Sequence, residues 1–300
     1  MMGIIILAIF VVCAIYVQKR GLVQHNRFSR KMTDHSNFMA PINCLFYAFS
    51  GVKNTAYLKT EDFPELNVLQ ENWQIIRDEA LNLHSAERIS ASKDLDDLGF
   101  NSFFRTGWKR FYLKWYGSSL PSAEALCPKT VALINAIPNV KGAMFTMLPP
   151  GARLGAHRDP YAGSLRYHLG LSTPESPDCF INVDGTDYAW KDGEAVMFDE
   201  TFIHYAENKT DKNRIILFVD IKRPTRFFLV DWINEIFSRV VLSAAATKNM
   251  PGDKVGFLNR IFGYVYQIRV VGKKIKKINK PLYYLLQYGL YIALIYWIFF

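Results

Sequence analysis

Ala156-His157-Arg158-Asp159-Pro160 sits inside Gly142 to Asp220, and the short apolar runs of that stretch decide the fold. Leu165-Arg166-Tyr167-His168-Leu169-Gly170-Leu171, Glu194-Ala195-Val196-Met197-Phe198 and Asn213-Arg214-Ile215-Ile216-Leu217-Phe218-Val219-Asp220 have the length and composition of strands. Turn signals separate them: Pro149-Pro150-Gly151, Asp184-Gly185 and Asp192-Gly193. Such punctuation predicts a mainly β core. The expected closure is a double-stranded β-helix, jelly-roll or cupin-like, with flanking helices.

His157 and Asp159 stand two apart, so on an extended strand both side chains leave the same face. His204 follows at a distance. Two imidazoles and one carboxylate can take one face of an octahedral ion and leave three positions open. Arg214 lies ten residues after His204 at the head of an apolar run, where a cation needs an anionic partner. Taken singly, each residue has an ordinary reading. An isolated His-x-Asp is common, His204 could be a satisfied core histidine, and Arg214 could pair with a structural carboxylate. Order, spacing and strand context together point to a metal site at His157, Asp159 and His204. Fe(II) suits the donor set, and zinc would bind it too.

The 300 residues suffice for one sizeable domain with anchors, and half of them are hydrophobic. The net charge of +9 gathers beside the apolar ends, which points to a membrane surface and away from nucleic acid. Residues 1–17 form an uncharged apolar run followed by Lys19, Arg20, Arg27, Arg30 and Lys31. A cleaved signal would carry its charge before the run, so the expectation is an anchor. Lys273, Lys274, Lys276, Lys277 and Lys280 precede the uncharged residues 281–300, expected to be a second anchor. Both asymmetries place residues 18–280 on the cytoplasmic side of a membrane. Cys13, Cys44, Cys127 and Cys179 show no paired spacing, so no disulfide framework or zinc ribbon is implied.

Between the anchors, residues 18–60 read as a juxtamembrane segment, 61–225 as the catalytic domain and 226–280 as amphipathic interfacial helices with the lysine run. Phe38 to Gly51 is apolar but too short to span, leaving an interfacial piece and a helix packed on the domain as equal readings. Helical spacing runs from Glu61 to Leu83 and again from Glu124 to Ile137. Lys109-Arg110-Phe111-Tyr112-Leu113-Lys114-Trp115 alternates like a strand with one buried aromatic face. Lys109 and Arg110 are candidates for gripping the phosphates of an amphiphile, or they are snorkelling cations over a sheet core. Asp199 and Glu200 read as a turn in preference to groups that support the metal ligands.

Met147-Leu148-Pro149-Pro150-Gly151, His157-Arg158-Asp159-Pro160, Leu165 to Leu171, Asp192 to His204 and Asn213-Arg214-Ile215 together resemble the aspartyl/asparaginyl β-hydroxylase family of Fe(II)/2-oxoglutarate dioxygenases. Thr33-Asp34-His35-Ser36, Phe38 to Asn43 and Gly107 to Tyr116 extend the likeness to membrane-bound bacterial members that hydroxylate lipid A. The resemblance implies Fe(II) as the metal, with 2-oxoglutarate and O2 as cosubstrates. It makes Arg214 the clamp on the distal carboxylate of 2-oxoglutarate and adds Arg166, His168 and Thr146 as further cosubstrate contacts. It implies hydroxylation at C2 of a secondary acyl chain of lipid A, the 3'-linked myristate, in a membrane of phospholipid. No nucleic acid and no obligate protein partner are expected. Two other readings stand beside it: a hydroxylase of protein aspartyl or asparaginyl residues, and an idle lipid-binding scaffold with a cupin-like barrel.

Overall fold

The computed structural model describes residues 2–92, 97 and 99–299. Met1 and Phe300, the outermost residues of the expected anchors, lie outside that set, as do residues 93–96 and 98 of the expected catalytic domain. The strands are β1 (Tyr57–Leu58), β2 (Lys109–Trp115), β3 (Ser118–Ser119), β4 (Val140–Leu148), β5 (Arg153–His157), β6 (Ser164–Ser172), β7 (Cys179–Val183), β8 (Thr186–Ala189), β9 (Ala195–Phe198), β10 (His204–Asn208) and β11 (Arg214–Lys222). Seven form one sheet in the order β1-β9-β6-β11-β4-β2-β3, and four form a second in the order β5-β10-β7-β8. Strands paired within a sheet run antiparallel. Leu169, Ile216 and Phe145 from the large sheet share one core with Ile181, Val183 and Ala206 from the small one. The core is therefore the expected jelly roll.

β11 lies between β4 and β6 and is buried from Arg214 to Ile221, which explains its near-continuous apolar run. Gly170 has a specific task in β6. A Cβ there would collide with the Lys191 carbonyl, so only glycine lets the Trp190–Gly193 turn lie against the strand. Gly193 N–H donates to the Gly170 carbonyl at 2.9 Å, and Gly170 N–H to the Glu194 carbonyl at 3.0 Å. That turn carries Trp190 into the barrel.

The helices are α1 (Met2–Lys19), α2 (Phe28–Met32), α3 (Ala40–Ala48), α4 (Asn67–Glu71), α5 (Trp73–Ser85), α6 (Asn101–Phe104), α7 (Pro121–Leu126), α8 (Pro128–Asn135), α9 (Phe228–Phe237), α10 (Phe257–Ile278) and α11 (Lys280–Phe299). The helical spacing from Glu61 to Leu83 does not make one helix. Pro64 opens a separate 3-10 turn, and the Asn72 amide bonds back to the Val68 carbonyl at 2.8 Å between α4 and α5. α5 still buries Ile76, Ala80 and Leu83 on one face. The expected helix from Glu124 to Ile137 likewise splits at Cys127, because Pro128 begins a new helix better than it continues an old one.

β2 also departs from expectation. Arg110, Phe111, Tyr112 and Leu113 are buried in succession, on both faces. The chain after α9 returns over the sheet: Asn249 bonds both the N–H and the carbonyl of Tyr112, at 2.7 and 2.8 Å, and Trp115 Nε1 donates to the Leu242 carbonyl.

A second apolar cluster joins Val17, Ala40, Phe46, Tyr47, Tyr161, Ala162 and Val230, so α1, α3 and α9 pack against the loop following β5. This places the inner face of α3 on the domain, while Phe38 and Phe49 beside it stay exposed. Among the described residues no helix is long and apolar enough to cross a membrane. The two anchors expected at 1–17 and 281–300 are therefore not supported as spans. α1 turns Val17 into the protein, and α11 carries Lys280, Gln287 and several tyrosines along its length.

Candidate metal centre

His157 ends β5 and His204 begins β10, and the antiparallel register sets the two directly opposite. Their ring centroids are 4.2 Å apart. Asp159 lies past the end of β5, where its backbone N–H donates to the Glu200 carbonyl at 2.9 Å and folds the loop back over the barrel mouth. Its Oδ1 is 3.4 Å from His157 Nε2 and 3.9 Å from His204 Nε2. One donor atom from each residue falls within 4.8 Å of the others. Each histidine places Nδ1 against the backbone carbonyl two residues earlier, Gly155 at 2.7 Å and Phe202 at 3.0 Å. With Nδ1–H donating there, Nε2 is left as the free lone pair on both rings.

The electrostatics suit a cation. Burial, reinforced by neighbouring His157, pushes His204 down to about 3, so it stays neutral as a ligand must. Burial opposes charge on Asp159, but the Arg166 guanidinium together with the His157 and His204 rings outweighs it and holds the carboxyl well below the usual range. Arg166 itself sits among three carboxylates, Asp159, Asp220 and Glu200. Burial pushes Glu200 up to about 8, so that carboxyl adds no charge for an ion near neutrality, and Asp159 is the acidic group that faces one.

Deeper in the barrel, Arg214 is 2% exposed and donates from Nη1 to Thr146 Oγ1 at 3.1 Å. Its guanidinium lies 4.4 Å from the Trp190 ring, and Nε has no partner. Burial pushes Arg214 down to about 10, and among the described residues no carboxylate offsets it. The ordinary reading, pairing with a structural carboxylate, therefore finds no support. His168 is buried with both ring nitrogens unpartnered, and burial, helped by Arg166 and Arg214, pushes it well below its usual value. Trp190 Nε1 is unpartnered as well. All four residues line the same cavity as the three metal-ligand candidates. A buried cation and orphaned polar groups in an otherwise mainly apolar cavity fit a small carboxylate ligand, which is the group the resemblance implies.

Two expected contacts are engaged with protein carboxylates, Arg166 within the cavity and Arg110 outside it. Arg166 spends Nε on Asp220 at 2.7 Å and Nη2 on Asp159 at 2.8 Å, so it faces protein carboxylates. Arg110 is 3% exposed and pairs through Nε with Asp97 at 3.0 Å beneath Phe104 and Tyr112. A guanidinium so enclosed cannot reach a lipid phosphate. Lys109 is half-buried at the start of β2. Asp199 and Glu200 do form a turn, but a buried one: Asp199 accepts from Arg20 and Arg223, and Glu200 accepts from Ser164. Trp190 carried no motif; its place follows only from the turn against Gly170. Phe103, 4.8 Å from the His157 ring, and buried Trp108 line the cavity's aromatic wall, which the density of aromatics in Phe100 to Tyr116 hinted at.

Comparison with known proteins agrees with this geometry. The family model described as aspartyl/asparaginyl beta-hydroxylase matches residues 70–224. An ornithine lipid ester-linked acyl 2-hydroxylase of Rhizobium tropici is 33% identical over 71% of this chain and 77% of its own length. The human aspartyl/asparaginyl beta-hydroxylase is 27% identical over 52% of this chain but only 21% of its own length. The solved structure of a viral collagen prolyl hydroxylase from Paramecium Bursaria Chlorella virus-1, a 2OG complex, overlaps 45% of this chain and 92% of that one. Its TM-score is 0.28 at 14% identity, too low to bear on the chemistry.

Proposed function

The chain belongs to the aspartyl/asparaginyl β-hydroxylase family, and from that premise we propose that it is an Fe(II)/2-oxoglutarate-dependent hydroxylase acting at C2 of an acyl chain of a membrane lipid. Membership makes it a hydroxylase. The metal and cosubstrate rest on one observation above the rest: His157, Asp159 and His204 converge beside an Arg214 that is buried without an anion. Iron bound there, with 2-oxoglutarate and O2, would supply the oxidant that puts one oxygen atom into an unactivated C–H bond while the cosubstrate leaves as succinate and CO2.

The protein's own residues do the rest. Arg214 and the Thr146 hydroxyl hold the far carboxylate of the cosubstrate, the guanidinium meeting it through two nitrogens. His168 and Trp190 close the pocket around it as neutral groups. His157, Asp159 and His204 hold the metal at the mouth, with each Nδ1 tied to backbone so that the rings cannot turn. Phe103, Trp108 and Phe218 keep bulk water from the cavity and give the acyl chain an apolar wall.

The lipid substrate is supported by the bacterial relative, whose name gives an ester-linked acyl 2-hydroxylase, and by apolar surface flanking the metal loop. Phe228, Leu229, Trp232 and Ile236 of α9 are exposed, as are much of α1 and α11, beside the basic residues that precede and follow them. A chain buried in the bilayer cannot diffuse to a distant enzyme, so we place these faces against the cytoplasmic side of the inner membrane. Within lipids, the substrate we assign is lipid A, at C2 of a secondary acyl chain, the 3'-linked myristate being the position the resemblance implies.

Mass spectrometry of lipids from aerobically grown cells expressing the chain or its His157→Ala variant tests this reading. One added oxygen on an acyl chain of lipid A, absent with the variant, is the expected result. The same gain on ornithine lipid instead would keep the acyl hydroxylase and replace its substrate. No lipid gain, with succinate released on an aspartyl or asparaginyl peptide, would overturn the lipid reading.

A further inference from the structure

Resting on the metal-dependent reading above, we propose that Arg166 is a positioning residue for the Asp159 carboxylate. Asp159 is the one metal-ligand candidate outside a strand, so no ladder fixes its side chain. Its two oxygens have different neighbours. Oδ1 faces Nε2 of both histidines, at 3.4 and 3.9 Å, while Oδ2 receives Arg166 Nη2 at 2.8 Å. Arg166 thus occupies one oxygen and leaves the other for the ion, which fixes both the rotation of the carboxylate and its one-oxygen coordination.

Arg166 is itself held rigidly. It rises from β6, is 6% exposed, and stacks 3.7 Å from the Phe218 ring. Nε bonds Asp220 Oδ1 at 2.7 Å, and Asp220 Oδ2 accepts the Tyr116 hydroxyl at 3.1 Å. The chain Tyr116–Asp220–Arg166–Asp159 therefore runs from the turn after β2 across β11 and β6 to the metal loop. Both two-nitrogen edges of a guanidinium include Nη2, which is committed here, and Phe218 covers one face. No edge remains to grip a second, incoming carboxylate in two bonds. Arg214 is the converse case, with an unpartnered Nε and no carboxylate.

The test separates position from charge. Arg166→Gln removes a positive charge near the ion, so charge alone predicts tighter binding of a dication. Arg166→Lys keeps the charge and loses the forked geometry, so charge alone predicts no change. If Arg166 positions Asp159, both variants bind manganese(II), an oxygen-stable stand-in for iron(II), about 10- to 100-fold more weakly when titrated calorimetrically without 2-oxoglutarate. Arg214→Gln keeps wild-type manganese affinity and loses 2-oxoglutarate binding to the manganese form. Unchanged or tighter manganese binding in the Arg166 variants, with weakened 2-oxoglutarate, would overturn the assignment and make Arg166 a cosubstrate contact. Should Arg166→Gln fail to fold by circular dichroism, Arg166→Lys decides alone. Wild-type protein that binds no manganese would instead sink the metal-dependent reading itself.

Discussion

Arg214 gives the sharpest prediction, because an unpaired buried cation is a liability until its anion arrives. Consider Arg214→Met, similar in length and without charge. In the cosubstrate-free protein the substitution removes a guanidinium that burial already pushes down to about 10 and that only Thr146 and the Trp190 face accommodate. Stability should therefore hold within about 1 kcal/mol of wild type, or rise. Cosubstrate binding should collapse. Truncating one side of a buried charged pair costs about 2–5 kcal/mol, or roughly thirty- to several-thousand-fold in affinity. Thermal melting in manganese(II) with and without 2-oxoglutarate reads both effects. A ligand at one hundred times its Kd adds about 2.7 kcal/mol. For a chain of 300 residues, unfolding with about 2.1 cal/mol/K per residue, that raises Tm by about 4 °C. Wild type should show that rise and Arg214→Met should show none at the same concentration. A variant destabilised by more than about 3 kcal/mol, yet still stabilised by 2-oxoglutarate, would mean that Arg214 is a structural cation, and the cosubstrate assignment would fall.

Other consequences follow from named contacts. Because burial lowers His204 to about 3, the unfolded chain takes up a proton near pH 6.5 that the folded protein refuses; metal-free stability should fall as pH drops from about 6 to 4 by about 1.4 kcal/mol per unit for this group, and urea melts of His204→Gln should lack that slope. Asp199 is enclosed by Arg20 and Arg223, so Asp199→Asn leaves two buried guanidiniums short of an anion and should cost about 3–5 kcal/mol, measured by denaturant unfolding. Arg110→Ala should lower Tm through its lost Asp97 pair while leaving KM for lipid unchanged in the protein that remains folded; a raised KM at unchanged Tm would restore it as a substrate contact. Gly170→Ala should displace the Trp190 turn and weaken 2-oxoglutarate binding at least tenfold by calorimetry, since the Lys191 carbonyl occupies the place of the new Cβ.

The amino-acid order carries the strand run from β4 to β11 and the residue types of the centre, because both are local properties. Strand length, turn residues and the two-residue spacing of His157 and Asp159 are written within a few positions of one another. Even so, His157 and Asp159 come together because a loop folds back on the Glu200 carbonyl and not because they share a strand face. Helix limits were partly hidden for a local reason as well: Pro64, Asn72 and Pro128 break a periodicity that ignores backbone donors.

What the tertiary structure decided is where each charge finds its counterpart. Arg166 and Arg214 look alike as cations on apolar strands, yet one meets Asp220 and Asp159 and the other meets no carboxylate among the described residues. Arg110 reads as a surface cation until β2 is covered by Asn249 and the chain that carries it. Arg20 and Asp199 are 179 residues apart and still share a buried ion pair. The reason is physical: in a barrel of antiparallel sheets, the neighbours of a side chain come from register and from the facing sheet. Periodicity along the chain specifies which face a residue takes, and it holds no information about which distant residue takes the face opposite.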